Sequence, residues 1–325
     1  MLKRPVGRRL SKTQVRRFLK RDEGGVASTV GTIMALLVFL TFLTLFTNSY
    51  IPIWMVDNER SHMNEVVDQF GSLKGKSDMM MVNFMINGQS NLNMYQTITL
   101  GANGIPVFAS ATAGLLTYAP SSSNSSVNVN FNYSIPGSSV LVPITPGGKG
   151  DIGGGIVELY APNRYYVQQW IGYENGAILI KQYDGQAMKA FPNLMITKID
   201  KNISLAWTQV NLVGSNASAA GTGSAGLNLN LIYLDSQIYN TSVEGTVVFT
   251  FASQYYNAWW DYLNSTLTSK EKNLIKGVDY DLWPAKAPTL PSMPNSAPVP
   301  ITLILKNVHI FTYSRASMQM TVQVS

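Results

Sequence analysis

The chain has 325 residues, a formal charge of +6 and no cysteine, so no disulfide can hold its fold and core packing must do so. Nine Lys or Arg lie in the first 21 positions, and after Glu23 the chain holds 15 basic and 16 acidic side chains. The net charge therefore belongs to one end and does not describe a nucleic-acid-binding surface in the body, where no basic patch is interleaved with aromatics.

Residues 1–25 read as a basic cytoplasmic leader or tail, carrying Lys3, Arg4, Arg8, Arg9, Lys12, Arg16, Arg17, Lys20 and Arg21. No charged residue occurs between Glu23 and Asp57. Residues 26–47 would span roughly 33 Å as a helix, against about 30 Å for a bilayer's hydrocarbon core. Residues such as Ile33, Leu36, Leu37, Phe39 and Phe42 favour insertion, each by about 0.3 to 0.6 kcal/mol near the helix centre. The segment 26–50 is thus expected to be a transmembrane helix in the cell membrane. Basic residues before the span predict a single pass with the amino terminus inside and the remainder extracytoplasmic.

Tyr50, Pro52 and Trp54 stand where that span meets water. Beyond them, Met63, Val66, Val67, Phe70 and Leu73 recur at helical spacing, with Asp57, Glu59, Glu65 and Asp68 on other faces. Residues 51–86 are expected to form an amphipathic juxtamembrane helix, kinked near Pro52, whose apolar stripe needs a partner. That partner is either the chain's own outer domain or a neighbouring copy. The group Met79, Met80, Met81, Phe84 and Met85 reads as packing.

From residue 87 to 325 the texture changes to short β-type runs. Val127, Val129, Phe131 and Tyr133 alternate with Asn128, Asn130 and Asn132, as do Leu227, Leu229 and Leu231 with their neighbours. Further strands are expected at 96–100, 156–160, 177–182, 246–251 and 301–312, with one ending the chain through Met318, Met320, Val322 and Val324. Residues 121–126 and 214–226 read as mobile loops. A helical insertion, capped by Ser253, brings together Tyr255, Tyr256, Trp259, Trp260 and Tyr262. Thr268 with Glu271 reads as a capping box opening a second short helix that ends at Gly277. Six prolines between 284 and 300 predict an extended crossing of the surface. The fold class is α+β: a long N-terminal transmembrane and stalk helix, then a mainly antiparallel β-sandwich with a small helical insertion.

Candidate chemistry is sparse. The glycine-rich stretch 147–155 lacks phosphate-loop spacing and reads as a turn or hairpin. His62 and His309 have no companion at ligand spacing, and Asp279 with Asp281 reads first as an exposed turn. No catalytic, metal or cofactor set is expected, and no enzyme. Asn124, Asn132, Asn202, Asn216, Asn240 and Asn264 are glycosylation acceptors by their Asn-x-Ser/Thr pattern, all on the expected outer side. Tyr255, Tyr256, Trp259, Trp260 and Tyr262 either form a patch for glycans or a partner protein, or bury against the sheet.

The order Arg21-Asp22-Glu23-Gly24-Gly25, then the small polar start Val26-Ala27-Ser28-Thr29-Val30-Gly31-Thr32 and a continuous apolar helix, resembles the amino terminus of archaeal type IV pilins and archaellins. That resemblance implies cleavage by a prepilin peptidase after Gly24 or Gly25, and association of like subunits through the helix. Ala27 and Gly31, with Thr41 and Thr44 further on, suit close helix packing. The segments Asn163-Arg164-Tyr165-Tyr166, Tyr173-Glu174-Asn175-Gly176-Ala177 and Ser253-Gln254-Tyr255-Tyr256-Asn257-Ala258-Trp259 are similar to archaeal membrane proteins that join such a helix to a β-rich outer domain. The implied role is structural or adhesive at the cell surface, with the lipid bilayer as one partner and no nucleic acid.

Overall fold

The computed structural model describes residues 12–88, 92–120, 125–134, 141–144, 153–288 and 299–324. The chain divides into two compact units, Met1–Trp54 and Met55–Ser325.

The first unit is helical: α1 (Lys12–Leu45), a π turn (Phe46–Tyr50) and the opening residues of α2 (Ile51–Asn87). From Val30 to Leu45 ten large apolar side chains are 45% to 67% exposed and Leu43 is half-buried. An apolar surface all round a helix is the signature of a lipid or helix-packing environment, and this helix is long and apolar enough to cross a membrane. Its hydroxyls do not spoil that surface. Thr32, Thr41, Thr44 and Thr47 each donate to a carbonyl three or four residues back, at 2.7 to 3.1 Å, so the groups are satisfied without water. The irregularity expected near Pro52 falls one turn earlier. The Ile51 N–H donates to the Phe46 carbonyl in the wider π pattern, which gives room to a ring that would press on the carbonyl four residues before it. Phe46 lies 5.9 Å from Tyr50 and 5.6 Å from Trp54, centroid to centroid, so three rings gather at the end of the apolar run.

The second unit carries the rest of α2 and a body of strands. In chain order these are β1 (Asn93–Thr99), β2 (Gly114–Ala119), β3 (Ser125–Ser134), β4 (Leu141–Ile144), β5 (Gly153–Gly154), β6 (Ile156–Ala161), β7 (Gln169–Glu174) and β8 (Ala177–Lys181). Then come β9 (Gln186–Ala190), β10 (Leu194–Ile199), β11 (Asn202–Val213), β12 (Ala217–Gly221), β13 (Ser224–Ser253), helix α3 (Tyr256–Thr268), β14 (Tyr280–Trp283) and β15 (Val299–Val324). One sheet runs β10-β11-β15-β13-β3-β4, with β1, β5 and β14 attached; the other runs β12-β2-β6-β7-β8-β9. Pairing is antiparallel throughout except between β11 and β15, which are parallel.

The stripe on α2 is buried by the chain's own strands. Met63, Val66, Phe70, Leu73 and Met80 share a core with Ile98, Tyr118, Ile171, Tyr173, Leu229 and Met318. A second core joins Trp207, Phe249, Phe251, Phe311 and the α3 rings to Trp170 and Leu179. Successive strand residues face opposite sides, so Ile171 and Tyr173 serve one core while Trp170 serves the other. Every position of β7 and β8 is accordingly buried, including the polar ends Gln169, Glu174 and Lys181. Between them Asn175 and Gly176, at φ 47° and 76°, make the tight left-handed turn that this dipeptide favours.

Several expectations change. The separate strands expected around 227–231 and 246–251 are one strand, β13, and those at 301–312 and 318–324 are one strand, β15. Register shifts near Leu231, Asn240 and Gly245 absorb the irregular residues without ending the ladder. The expected loop 214–226 contains β12 and the start of β13, while Ser125 and Ser126 belong to β3. Residues 121–124, 147–152 and 289–298 lie outside the described residues.

Candidate functional site

The aromatic helix is the first candidate, and the structure buries it. Tyr255, Tyr256 and Trp259 are essentially inaccessible and Tyr262 nearly so. Half-buried Trp260 donates its indole N–H to the Pro284 carbonyl at 2.8 Å. These rings are core, not a docking patch: Trp259 stacks on Phe251 at 4.9 Å, with the extra stabilisation such pairs give. Ser253 does not cap α3 directly. Its hydroxyl accepts from the Tyr255 N–H and donates to Glu174, closing the turn ahead of the helix. Thr268 is the last residue of α3 and donates to Asn264, so no capping box forms, and Lys270–Lys272 is a single 3-10 turn.

Around Ser253 the structure assembles a buried polar cluster. Glu174 accepts from the Trp259 indole at 3.0 Å and from Ser253 at 2.9 Å. Burial pushes its carboxyl up to about 8, the donors opposing that rise and Glu158 adding to it. On the adjacent strand Glu158 accepts from the Tyr255 hydroxyl at 2.5 Å. Lys181 lies 3.9 Å from Glu158, with its ammonium 5.0 Å and 5.1 Å from the Trp170 and Tyr255 rings. Desolvation lowers the lysine's pKa, with Glu158 and Glu174 opposing. The cluster exists because Gly172 has no side chain. A Cβ there would stand 2.9 Å from the Tyr255 hydroxyl, so glycine lets the phenol lie across the sheet. Two of the three segments noted in the sequence, 173–177 and 253–259, thus meet at Glu174.

The third segment has its own anchor. Glu59 of α2, fully buried, accepts from the backbone N–H groups of Arg164, Tyr165 and Tyr166 at 2.7 to 3.1 Å and from the Thr112 hydroxyl at 2.8 Å. One carboxylate so placed satisfies a run of loop donors that would otherwise be costly to bury.

Beside that loop opens a cleft of about 440 Å³, between α2 and the strand ends of β7, β8 and β9. Met63, Val67 and Ile180 form apolar walls, and Asn64, Gln169, Gln182 and Lys189 supply polar groups. A second cleft of about 390 Å³ is lined by His62, Glu65 and Thr99 among others. His62 shares its Nε2 with the Thr99 carbonyl at 3.1 Å, and burial lowers its pKa.

The remaining sequence candidates are dispersed. Asp279 is buried, correcting its expected exposure: it pairs with Lys198 at 2.6 Å and accepts from the Ile275 N–H. Asp281 pairs with Lys306 on the neighbouring strand. Among the described residues no group of three His, Asp or Glu could hold a metal ion. Asn202, Asn216 and Asn240 are exposed and Asn264 is half-buried; Asn124 lies outside the described residues, and of Asn132 only the strand backbone is described. Gly24 and Gly25 lie within α1, one and two residues after Glu23. Sequence reasoning missed the roles of Glu174 and Glu59, whose partners are 53 to 107 residues distant, and of Gln169, whose side chain has no partner among the described residues.

Comparison with protein-family models, with curated proteins and with solved structures finds no match.

Proposed function

We propose that this chain is a pilin-like cell-surface membrane protein of the archaeal type IV kind, with a structural or adhesive role. In this reading the basic segment is cytoplasmic, α1 crosses the bilayer once, and the β body, read as an elaborated β-sandwich, lies outside. The observation that carries it is the uncovered apolar surface of residues 30–45. Lipid hydrocarbon satisfies such a surface, and so do like helices packed in a filament. The amino-terminal pattern 21–32 supports processing after Gly24 or Gly25 and polymerisation through the helix. The proposal carries no catalytic step. The test is the amino-terminal residue of the mature protein taken from its own membrane. A start at Gly25 or Val26 supports a processed pilin-like subunit; an intact Met1 overturns the filament and leaves an anchored surface protein. Extraction by alkaline carbonate would overturn the membrane span itself.

A further inference from the structure

We propose that the cleft between α2 and the β7 to β9 strand ends binds a hydroxyl-rich saccharide, an acidic sugar more tightly than a neutral one. Its volume of about 440 Å³ falls in the range of about 300 to 1,000 Å³ typical of small-molecule sites. The telling residue is Gln169. It is only 6% exposed, it lines the cleft, and no described group hydrogen-bonds its side chain. Its carboxamide atoms are not sealed from solvent, so they open onto the cleft, and a ligand entering there can supply the partner that such a group normally has.

The other polar groups fit the same ligand class. Asn64 and Gln182 are likewise unengaged carboxamides in the lining. A carboxamide both donates and accepts, and so does a sugar hydroxyl, so three of them can match a ring of hydroxyls in several orientations. The apolar walls Met63 and Ile180 suit the C–H faces of a sugar. Tyr166 adds an aromatic surface whose position is fixed by its N–H bond to Glu59 and by the Arg60 guanidinium 5.5 Å from its ring. Among the described residues Lys189 is the one charged side chain in the lining, and its ammonium, free of any described ion pair, provides the preference for a carboxylate-bearing sugar. This inference goes beyond the anchored surface protein and holds whether or not the helix polymerises.

The experiment uses the full chain in phosphatidylcholine nanodiscs, free of glycoside detergents, titrated calorimetrically with trigalacturonate and with its neutral trisaccharide counterpart. Both are expected to bind, the acidic one more tightly, with the difference shrinking as salt rises. Gln169→Leu is expected to weaken both by about tenfold or more, which corresponds to about 1.4 kcal/mol. Lys189→Ala is expected to weaken only the acidic sugar. Should Gln169→Leu lower the melting temperature, Gln182→Ala on the accessible wall gives the same reading. Failure of both sugars to bind at millimolar concentration overturns the proposal, as does binding that Gln169→Leu and Gln182→Ala leave unchanged. Equal affinity for the two sugars overturns the acidic preference.

Discussion

Phe39 and Phe70 are the same residue on successive helical stretches, one 58% exposed and the other wholly buried. The difference lies in their neighbours. Around Phe39 every face of α1 is apolar, so no face is distinguished and the helix needs a uniform apolar medium. Around Phe70 the buried apolar residues keep to one stripe, Met63, Val66, Leu73 and Met80, and charged, polar and glycine residues occupy most of the rest, so the stripe meets strands while the opposite side meets water. Burial thus follows from charge pattern and not from hydrophobic content alone.

Exchanging side chains tests that contrast. Phe70→Ala should destabilise the β body by about 3 to 5 kcal/mol, seen as a lower melting temperature by near-ultraviolet circular dichroism, while Phe39→Ala should leave that transition in place. Equal effects would break the distinction. The reverse exchange is charge: Leu37→Lys should cost about 2.5 to 3.5 kcal/mol of membrane insertion. Its measure is the fraction of chain resistant to carbonate extraction.

A pH titration sharpens the comparison on the buried side. Glu174 has its carboxyl raised from 4.5 to about 8, so between those values the folded state holds more protons than the unfolded one. The contribution to stability is then greatest at low pH and is lost as pH rises through that window. His62, its pKa lowered, acts oppositely, losing stability as pH falls below its ordinary 6.5. Glu174→Gln should therefore flatten the alkaline fall in melting temperature and leave the acid side untouched; an unchanged slope above pH 6.5 would refute the role given to Glu174. The smallest effect concerns Gly71 and Gly75, exposed within α2, where an added Cβ meets nothing within 4 Å. Changing each to Ala should stabilise by about 0.4 to 1 kcal/mol, readable by chemical denaturation.

Much of this was legible in sequence, for definite reasons. The charge-free run gave the apolar helix, the three-and-four spacing gave the α2 stripe, and Val127, Val129 and Phe131 gave β3 by alternation. The length of β13 was hidden, because Asn240 to Gly245 has turn composition and only the tertiary ladder carries the strand through it as a bulge. The parallel pairing of β11 with β15 leaves no local trace. Tyr173 to Ala177 holds the Asn175-Gly176 pair that makes the turn, yet nothing nearby reveals that Glu174 is covered by Ser253 and Trp259. The aromatic helix shows the reverse failure. Its rings were visible, but the room that lets Tyr255 lie across the sheet comes from Gly172, some eighty residues earlier in the chain.

The place of β15 has a consequence for assembly in time. It is the latest strand in chain order, yet it lies between β11 and β13, so Ile203 waits for Val308 and Leu229 for Met320 before the sheet can close. Pairings of such sequence separation form slowly. Until residues 299–324 arrive, β11 and β13 each present a bare edge, the kind of surface that accepts a strand from another molecule. Closure by β15 therefore ends the period in which one copy can capture a strand from the next.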